Sequence, residues 1–141
     1  MPTRYSVSRT ICAPAETIWD LLTDASGYRA WNKAILSIAG TIALGSTIKL
    51  VSVVNPKRAF KLTVVSMDAP RQMIWADGMP LGLFKGTRTY LIESVGATST
   101  FSMTEEFTGL LAPLITKSIP DMTDSFNIFA DGLKVAAEAM Q

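Results

Sequence analysis

Apolar and polar residues alternate along the first dozen positions of the chain. Tyr5, Val7 and Ile11 fall on one face of an extended segment. Arg9 shares that face with them. Because successive side chains of a strand point to opposite faces, this alternation predicts a strand from Thr3 to Cys12.

The pattern then changes to the period of a helix. Pro14 suits the first turn of a helix, Glu16 complements its positive end, and the apolar residues that follow recur every three or four positions. These signals predict a helix from Ala15 to Thr23. Asp24 is placed to cap a second short helix, which runs from Tyr28 to Trp31.

The middle of the chain consists of strand-like segments separated by turn residues. Each segment is rich in alternating apolar positions and is bounded by glycine, proline or asparagine. The predicted strands are Ile35 to Ile42, Thr47 to Val54, Ala59 to Asp68, Arg71 to Met79, Leu83 to Ser94 and Thr98 to Phe107. Since no helix separates them, neighbouring strands are expected to pair antiparallel.

The last part of the chain has the period of an amphipathic helix. Apolar residues recur at three and four positions, which predicts one long helix from Met122 to Met140. The preceding segment, Gly109 to Asp121, is apolar and carries two prolines, so a short helix is expected to begin near Pro113 and to break before the long helix. One antiparallel sheet with helices at both chain ends is an α+β architecture, and the long helix is expected to cover one face of the sheet.

The parity of the last two strands places opposite charges on their apolar faces. In the last strand Glu105 shares a face with Phe101 and Met103. In the preceding strand Arg88 shares a face with Tyr90. A two-residue hairpin loop between the strands then places Arg88 opposite Glu105, because a slip of one residue would put the two apolar faces on opposite sides of the sheet.

The strand before these adds one more carboxylate. Trp75 and Asp77 share its apolar face, and the turn that follows decides which of them lies beside Arg88. An ionic group of Asp77, Arg88 and Glu105, with Tyr90 next to it, is then the polar feature of a mostly apolar interior.

This ionic group has two interpretations. In the first, it orients the carboxylate, phenol or carbonyl of a bound ligand, with Arg88 as the donor. In the second, Arg88 and Glu105 only neutralise each other, as a buried pair that adds little net stability. A wrong assignment of faces would instead leave both side chains in solvent.

Composition restricts the partners and the location. The chain has 141 residues and reads as a single domain, 1–141. Thirteen Lys and Arg against 12 Asp and Glu give a net charge of +1 with no basic block, so no nucleic-acid partner is expected. No apolar run approaches the roughly 18 residues of a membrane span, so no integral membrane segment is expected. The first ten residues lack an apolar leader, and a cytoplasmic location is expected.

The absence of histidine restricts the chemistry most. The chain has no His and one cysteine, Cys12, which excludes Ser-His-Asp and Cys-His hydrolysis, zinc sites and two-His iron sites. No metal, cofactor or catalytic residue is therefore assigned. Acid/base catalysis would fall to Glu105, Asp77 and Tyr90, and an adjacent arginine opposes the use of a carboxyl as an acid.

Four segments spread along the chain carry a family pattern. They are APAETIWDLLTDASGYRAWN at 13 to 32, WADG at 75 to 78, EEFTGLLAPL at 105 to 114 and FADGLKVAAE at 129 to 138. With these segments the chain resembles the START/SRPBCC superfamily and its polyketide cyclase/dehydrase-like proteins nearly end to end, although Lys33 replaces a usual proline. The resemblance implies the helix-grip fold, in which a seven-stranded curved antiparallel sheet wraps around the long C-terminal helix and leaves a hydrophobic cavity.

Members of this superfamily bind lipids, sterols, hormones or aromatic polyketides, and a minority are enzymes. The resemblance therefore implies a binding or carrier protein for a hydrophobic small molecule, lipid-like or polycyclic aromatic, and the alternative is a polyketide cyclase/dehydrase-type enzyme. The expected ligand-contacting residues are Arg88, Glu105, Asp77, Tyr90, Trp75, Trp31, Phe101, Met103, Phe126, Phe129 and Leu133. The apolar members of this set fit a packed core equally well, and residues 109–119 fit either a packed loop or a gate over the cavity.

Overall fold

The computed structural model describes residues 3 to 141, so Met1 and Pro2 of the predicted domain lie outside the described residues. The sheet is formed by β1 (Thr3–Ile11), β2 (Ile35–Ala39), β3 (Thr47–Ser52), β4 (Phe60–Asp68), β5 (Gln72–Met79), β6 (Phe84–Val95) and β7 (Thr98–Thr108). The α-helices of the described residues are α1 (Ala15–Thr23), α2 (Tyr28–Trp31), α3 (Ala112–Ile115) and α4 (Thr123–Ala139). Short 3₁₀ turns at Ala25–Gly27 and Thr116–Ser118 adjoin α2 and α3.

Every strand pairs antiparallel with its neighbours, in the order β1-β7-β6-β5-β4-β3-β2. Strands β2 to β7 follow one another as hairpins, as the missing intervening helices predict. Strand β1 lies beside β7, which brings the first and last strands of the chain together. The predicted α+β class, the seven-stranded antiparallel sheet and the long C-terminal helix are all confirmed.

Two predicted strands end earlier than expected. Strand β2 stops at Ala39, not Ile42, because Gly40 has a φ of +105°, which a continuing strand does not adopt. Strand β3 stops at Ser52, not Val54, because the Ser52 hydroxyl accepts a hydrogen bond from the Val54 backbone N–H and turns the chain there. The other strands agree with prediction to within one residue at each end.

Helix α4 lies against the inner face of the sheet and buries its apolar side. Phe126, Phe129 and Leu133 are buried, as predicted. The helix begins one residue later than expected, at Thr123, whose N–H and hydroxyl both donate to the Asp121 carboxylate. Within residues 3–141, no helix is long and apolar enough to cross a membrane.

The inward-facing Arg9 of β1 is held by α4. Its Nε donates to Asp131 Oδ1 at 2.8 Å, and its Nη2 donates to Asn127 Oδ1 at 2.7 Å. Both acceptors lie on successive turns of the helix. Arg9 therefore fixes the rotation of α4 against the first strand.

A second polar contact holds the C-terminal part of α4. Lys134 Nζ donates to the Thr10 carbonyl at 2.6 Å and to Glu138 Oε2 at 2.9 Å. The same Glu138 oxygen accepts the backbone N–H of Cys12 at 2.9 Å. The hydrogen bond from Cys12, followed by that from Lys134, lowers the pKa of Glu138 below its usual value.

Gly132 allows α2 and α4 to approach closely. A Cβ atom at this position would overlap the carbonyl oxygen of Trp31. A glycine in the middle of a helix costs about 1 kcal/mol relative to alanine. Here the missing side chain lets Trp31 pack against Phe129, with their ring centroids 5.5 Å apart.

Candidate functional site

An ion pair joins β6 and β7 on the inner face of the sheet. Arg88 and Glu105 are direct register partners, and Arg88 Nε donates to Glu105 Oε1 at 2.7 Å. Their side chains are 11% and 14% exposed, so the pair is largely buried but retains slight contact with solvent. The predicted contact is confirmed, and the alternative in which both charges lie in solvent is excluded.

The first turns of α4 cover this pair. The Phe126 ring lies against the Arg88 guanidinium, with Cζ 5.0 Å from the ring centroid, which is within the range of a cation–π contact. Phe126 also contacts the ring of Tyr5, at 5.9 Å between centroids. Tyr5 is the register partner of Glu105 on β1. The ion pair is thus enclosed by a helix on one side and two strands on the other.

The prediction that Asp77 belongs to the ionic group is wrong. Trp75 is the register partner of Arg88, whereas Asp77 lies opposite Gly86. The Asp77 side chain is exposed, and its Oδ1 accepts the backbone N–H of Gly78 at 2.8 Å. Asp77 lies on the predicted face of β5, but the last residues of that strand extend into solvent. Within residues 3–141, Asp77 therefore forms no ion pair with Arg88.

Aromatic rings fill the space between the sheet and α4. Phe129 is 5.5 Å from Trp31, 5.8 Å from Tyr90 and 6.5 Å from Phe101, measured between ring centroids. Trp75 lies edge-on to Tyr90 at 4.9 Å. The predicted set also includes two fully buried aliphatic side chains, Met103 and Leu133. The sequence thus placed these residues together correctly, and in this structure they form a packed interior.

A pocket of about 450 Å³ lies outside this interior. It is formed by the start of α1, the turn between β4 and β5, and the end of β6. None of the predicted ligand-contacting residues lines it. The side chains of Tyr90, Phe101 and Phe129 are at most 1% exposed, so a molecule from solvent reaches them only if the rings or the helix move.

Four buried polar atoms of this interior make no hydrogen bond to any residue from 3 to 141. They are Trp31 Nε1, Asn32 Nδ2, Trp75 Nε1 and Tyr90 Oη. About nine in ten buried polar groups in folded proteins are hydrogen-bonded, and leaving one unpaired costs about 1–3 kcal/mol. Asn32 was not among the site residues predicted from the sequence. The feature that could have indicated it is its position directly after the apolar helix that ends at Trp31.

Tyr90 and Arg88 both keep their protons near neutral pH, so both remain hydrogen-bond donors. Burial raises the pKa of Tyr90 to about 12 and outweighs the Arg88 guanidinium, which acts in the opposite direction. Burial lowers the pKa of Arg88 and is the largest single influence, but the charge of Glu105, Tyr90 and the hydrogen bonds to both together raise it by more, so the net shift is upward. Tyr90 is therefore a neutral phenol and Arg88 a cation at physiological pH.

The comparisons with known proteins agree with the fold. A family described as "Polyketide cyclase / dehydrase and lipid transport" matches residues 2–138. A START superfamily protein from Mycobacterium smegmatis has a TM-score of 0.72 and 18% identity, covering 98% of this chain and 99% of its own. Norcoclaurine synthase from Thalictrum flavum, in complex with dopamine and hydroxybenzaldehyde, has a TM-score of 0.72 and 14% identity, covering 100% of this chain and 89% of its own. No curated protein sequence matches the chain.

Proposed function

We propose, since the chain belongs to the polyketide cyclase, dehydrase and lipid transport family, that it is a binding or carrier protein for a hydrophobic small molecule. The molecule is lipid-like or polycyclic aromatic and lies between the sheet and α4. The cytoplasmic location of the protein stays a prediction. The observation that carries the proposal is the Arg88–Glu105 pair, which lies beneath α4 in a mostly apolar interior. Ligand sites are mostly apolar with a few placed polar groups that fix the orientation of the ligand.

The position of the pair favours binding over a purely structural role. A buried ion pair adds little net stability compared with apolar residues of the same volume. This pair also retains slight solvent exposure, at 11% and 14%, so it lies where a ligand would pass from solvent into the apolar interior. A polar group at that edge would hold the polar end of a ligand while the rings around Phe129 contact its apolar body.

Binding requires an opening, and the contacts of α4 indicate where it forms. The C-terminal part of the helix is held to β1 through Arg9 and Lys134. The N-terminal part contacts the sheet through Phe126, which lies over Arg88. Displacing Phe126 and the segment before it would uncover the ion pair without breaking the polar contacts of α4 to β1.

The test is a binding measurement with wild-type protein and a variant that lacks the pair. The double variant Arg88→Met/Glu105→Met keeps the apolar volume and leaves no unpaired charge, so its fold should be retained. Fatty acids and polycyclic aromatic acids are added while thermal stability and tryptophan fluorescence are followed. We expect stabilisation of the wild type and about tenfold weaker binding by the double variant, since a hydrogen bond to a charged group contributes about 1.5–3 kcal/mol. No stabilisation of the wild type by any of these compounds would overturn the proposal.

An enzyme of the cyclase or dehydrase type is the second candidate. A buried phenol, Tyr90, lies beside a carboxylate and a guanidinium, which are groups that can act on a carbonyl substrate. However, a phenol with a pKa of about 12 is a poor acid near neutral pH, and Arg88 occupies one oxygen of Glu105. Turnover of an aromatic polyketide that disappears in Glu105→Gln and Arg88→Ala, with the fold intact, would establish this candidate.

A further inference from the structure

The unpartnered atoms in the interior share one chemical property. Three of them are N–H donors that cannot accept: the indole Nε1 of Trp31, the indole Nε1 of Trp75 and the amide Nδ2 of Asn32. The fourth, the Tyr90 hydroxyl, can donate. All four side chains are at least nine-tenths buried.

These donors come from both sides of the interior. Trp75 and Tyr90 lie on adjacent strands with their rings 4.9 Å apart, and Trp75 is the register partner of Arg88. Arg88 uses its Nε for Glu105, and its guanidinium also lies beside the Tyr90 hydroxyl. From the opposite side, the Trp31 ring lies 5.5 Å from Phe129, which is itself 5.8 Å from Tyr90. Trp31 on α2 and Tyr90 on β6 thus both have rings within 5.8 Å of the Phe129 ring.

A structural role leaves the proton of the Tyr90 hydroxyl unexplained. The hydroxyl oxygen can accept from the neighbouring Arg88 guanidinium, but its proton has no acceptor among residues 3–141. Tyr28, in the same core, shows what a structural tyrosine does, because its hydroxyl donates to the carbonyl of Leu22. The two tyrosines are equally buried, yet of their two hydroxyls only that of Tyr28 donates a hydrogen bond within the described residues.

We propose, resting on the binding function proposed above, that the ligand is an apolar molecule that presents hydrogen-bond-accepting oxygens, as a carboxylate or paired carbonyls, to Trp75, Tyr90 and Arg88. An acceptor oxygen removes the desolvation cost of these donors, whereas a hydrocarbon leaves it in place. An amine supplies donors to a site that already has them in excess. The interior thus selects fatty acids or oxygenated aromatic acids over hydrocarbons and amines.

The experiment compares matched probes by isothermal titration calorimetry. One pair is 2-naphthoic acid and 2-methylnaphthalene, which share an aromatic body, and the other is dodecanoic acid and 1-dodecylamine, which share an alkyl chain. The wild type should bind the acid of at least one pair about tenfold or more tightly than its partner, because a hydrogen bond to a charged group is worth at least that factor.

The variants separate recognition from structure. Tyr90→Phe should weaken binding of the preferred acid about tenfold while changing binding of 2-methylnaphthalene less than about twofold. Its urea midpoint without ligand should fall less than that of Tyr28→Phe, because the Tyr90 hydroxyl donates no hydrogen bond within the described residues. Tyr28→Phe is the matched control: it should lower the urea midpoint and leave acid binding unchanged. Trp75→Phe should lower the ratio of acid to hydrocarbon affinity even if its larger volume change lowers stability.

Each outcome decides the proposal. Equal affinities within both probe pairs, or an equal loss of acid and hydrocarbon binding in Tyr90→Phe, would overturn the preference for acceptors and leave the binding function standing. A lower urea midpoint for Tyr90→Phe than for Tyr28→Phe would assign the Tyr90 hydroxyl a structural role. Failure of all four probes to bind would overturn this inference and the proposed function together.

Discussion

The Glu105 carboxylate compensates a guanidinium that is only 11% exposed. Glu105→Leu leaves Arg88 largely buried without a counter-charge, so we expect the free energy of unfolding to fall by about 3–5 kcal/mol. Glu105→Gln should cost much less, because its amide oxygen still accepts from Arg88 Nε. Urea denaturation of both variants measures the difference. Small and equal losses would mean that water replaces the carboxylate and that the pair does not anchor a ligand.

The Arg88–Glu105 pairing was predictable because it depends on local rules. Strand parity and a two-residue loop at Gly96-Ala97 fix the register of one hairpin, and the observed register agrees. The same parity placed Asp77 on the inner face but could not show that the end of β5 extends into solvent. The partners of Arg9 were also beyond sequence reasoning, because Asn127 and Asp131 are more than a hundred residues away and depend on how α4 is rotated.

The packing of α2 against α4 depends on a single missing side chain. Gly132→Ala places a Cβ atom on the carbonyl oxygen of Trp31, so the helices must separate. Overpacking costs typically about 1–3 kcal/mol, and the higher helix propensity of alanine returns about 1 kcal/mol. Because the overlapped atom belongs to the backbone, we expect overpacking near the upper end of this range and a net loss of about 2 kcal/mol, measured by urea denaturation. The control is Val135→Ala on the exposed face of α4, which should change stability by less than about 0.5 kcal/mol. A Gly132→Ala variant as stable as the wild type would contradict the close approach.

The contact between α4 and the end of β1 should weaken at acid pH. Hydrogen bonds from Cys12 and Lys134 lower the pKa of Glu138 in the folded protein, so its contribution to stability is complete above its unfolded pKa and is lost as pH falls through the folded pKa. Glu138→Gln should therefore be less stable than the wild type at pH 7, and the difference should shrink below about pH 4.3, the usual pKa of glutamate. Thermal denaturation at several pH values measures this difference. A gap that stays constant from pH 7 to pH 3 would exclude the contribution of the carboxylate.

On the scale of the whole molecule, Phe129 connects the sheet, α2 and α4 through its ring contacts. Phe129→Ala should lower the free energy of unfolding by about 3–5 kcal/mol, the cost of removing a phenylalanine from a packed core. Ile128→Ala is the adjacent control, because the Ile128 side chain is 42% exposed and faces away from this centre. Chemical denaturation of both variants compares them. A loss no larger than that of Ile128→Ala would show that the rings around Phe129 are loosely packed and that ligand-sized space already exists there.

The family pattern predicted the architecture because strand periods, turn residues and the long amphipathic helix all specify the same fold. The pattern did not specify whether an open cavity lies between the sheet and α4, because a cavity depends on how side chains from five or more elements fill one space. Tyr90, Phe101 and Phe129 come from β6, β7 and α4, and their rings are packed together. Access to these rings from solvent therefore depends on how the three elements move apart.

That movement should be confined to one end of α4. Polar contacts to β1 hold residues 127–138, through Arg9 to Asn127 and Asp131 and through Lys134 and Glu138. Residues 109–126 have few buried side chains, and two of their leucines, Leu110 and Leu114, are exposed. Their backbone is joined to the loop before β6 through the N–H groups of Leu110 and Leu111, which donate to the carbonyls of Gly82 and Leu83. Segments with few buried contacts open at lower free energy than the rest of a fold. Amide hydrogens of residues 109–126 should therefore exchange faster than those of residues 127–139, as measured by mass spectrometry.

A bound acid should slow exchange in residues 109–126 and leave residues 127–139 unchanged, because the ligand closes the end that opens. Lys134→Met provides the control: it should speed exchange in the C-terminal part of α4, where the hydrogen bond to the Thr10 carbonyl is lost, without weakening binding of 2-naphthoic acid. Uniform exchange along residues 109–139, or protection by ligand only in the C-terminal part, would mean that α4 moves as one rigid unit. In that case residues 109–119 would be a packed loop and the entrance would lie elsewhere on the fold.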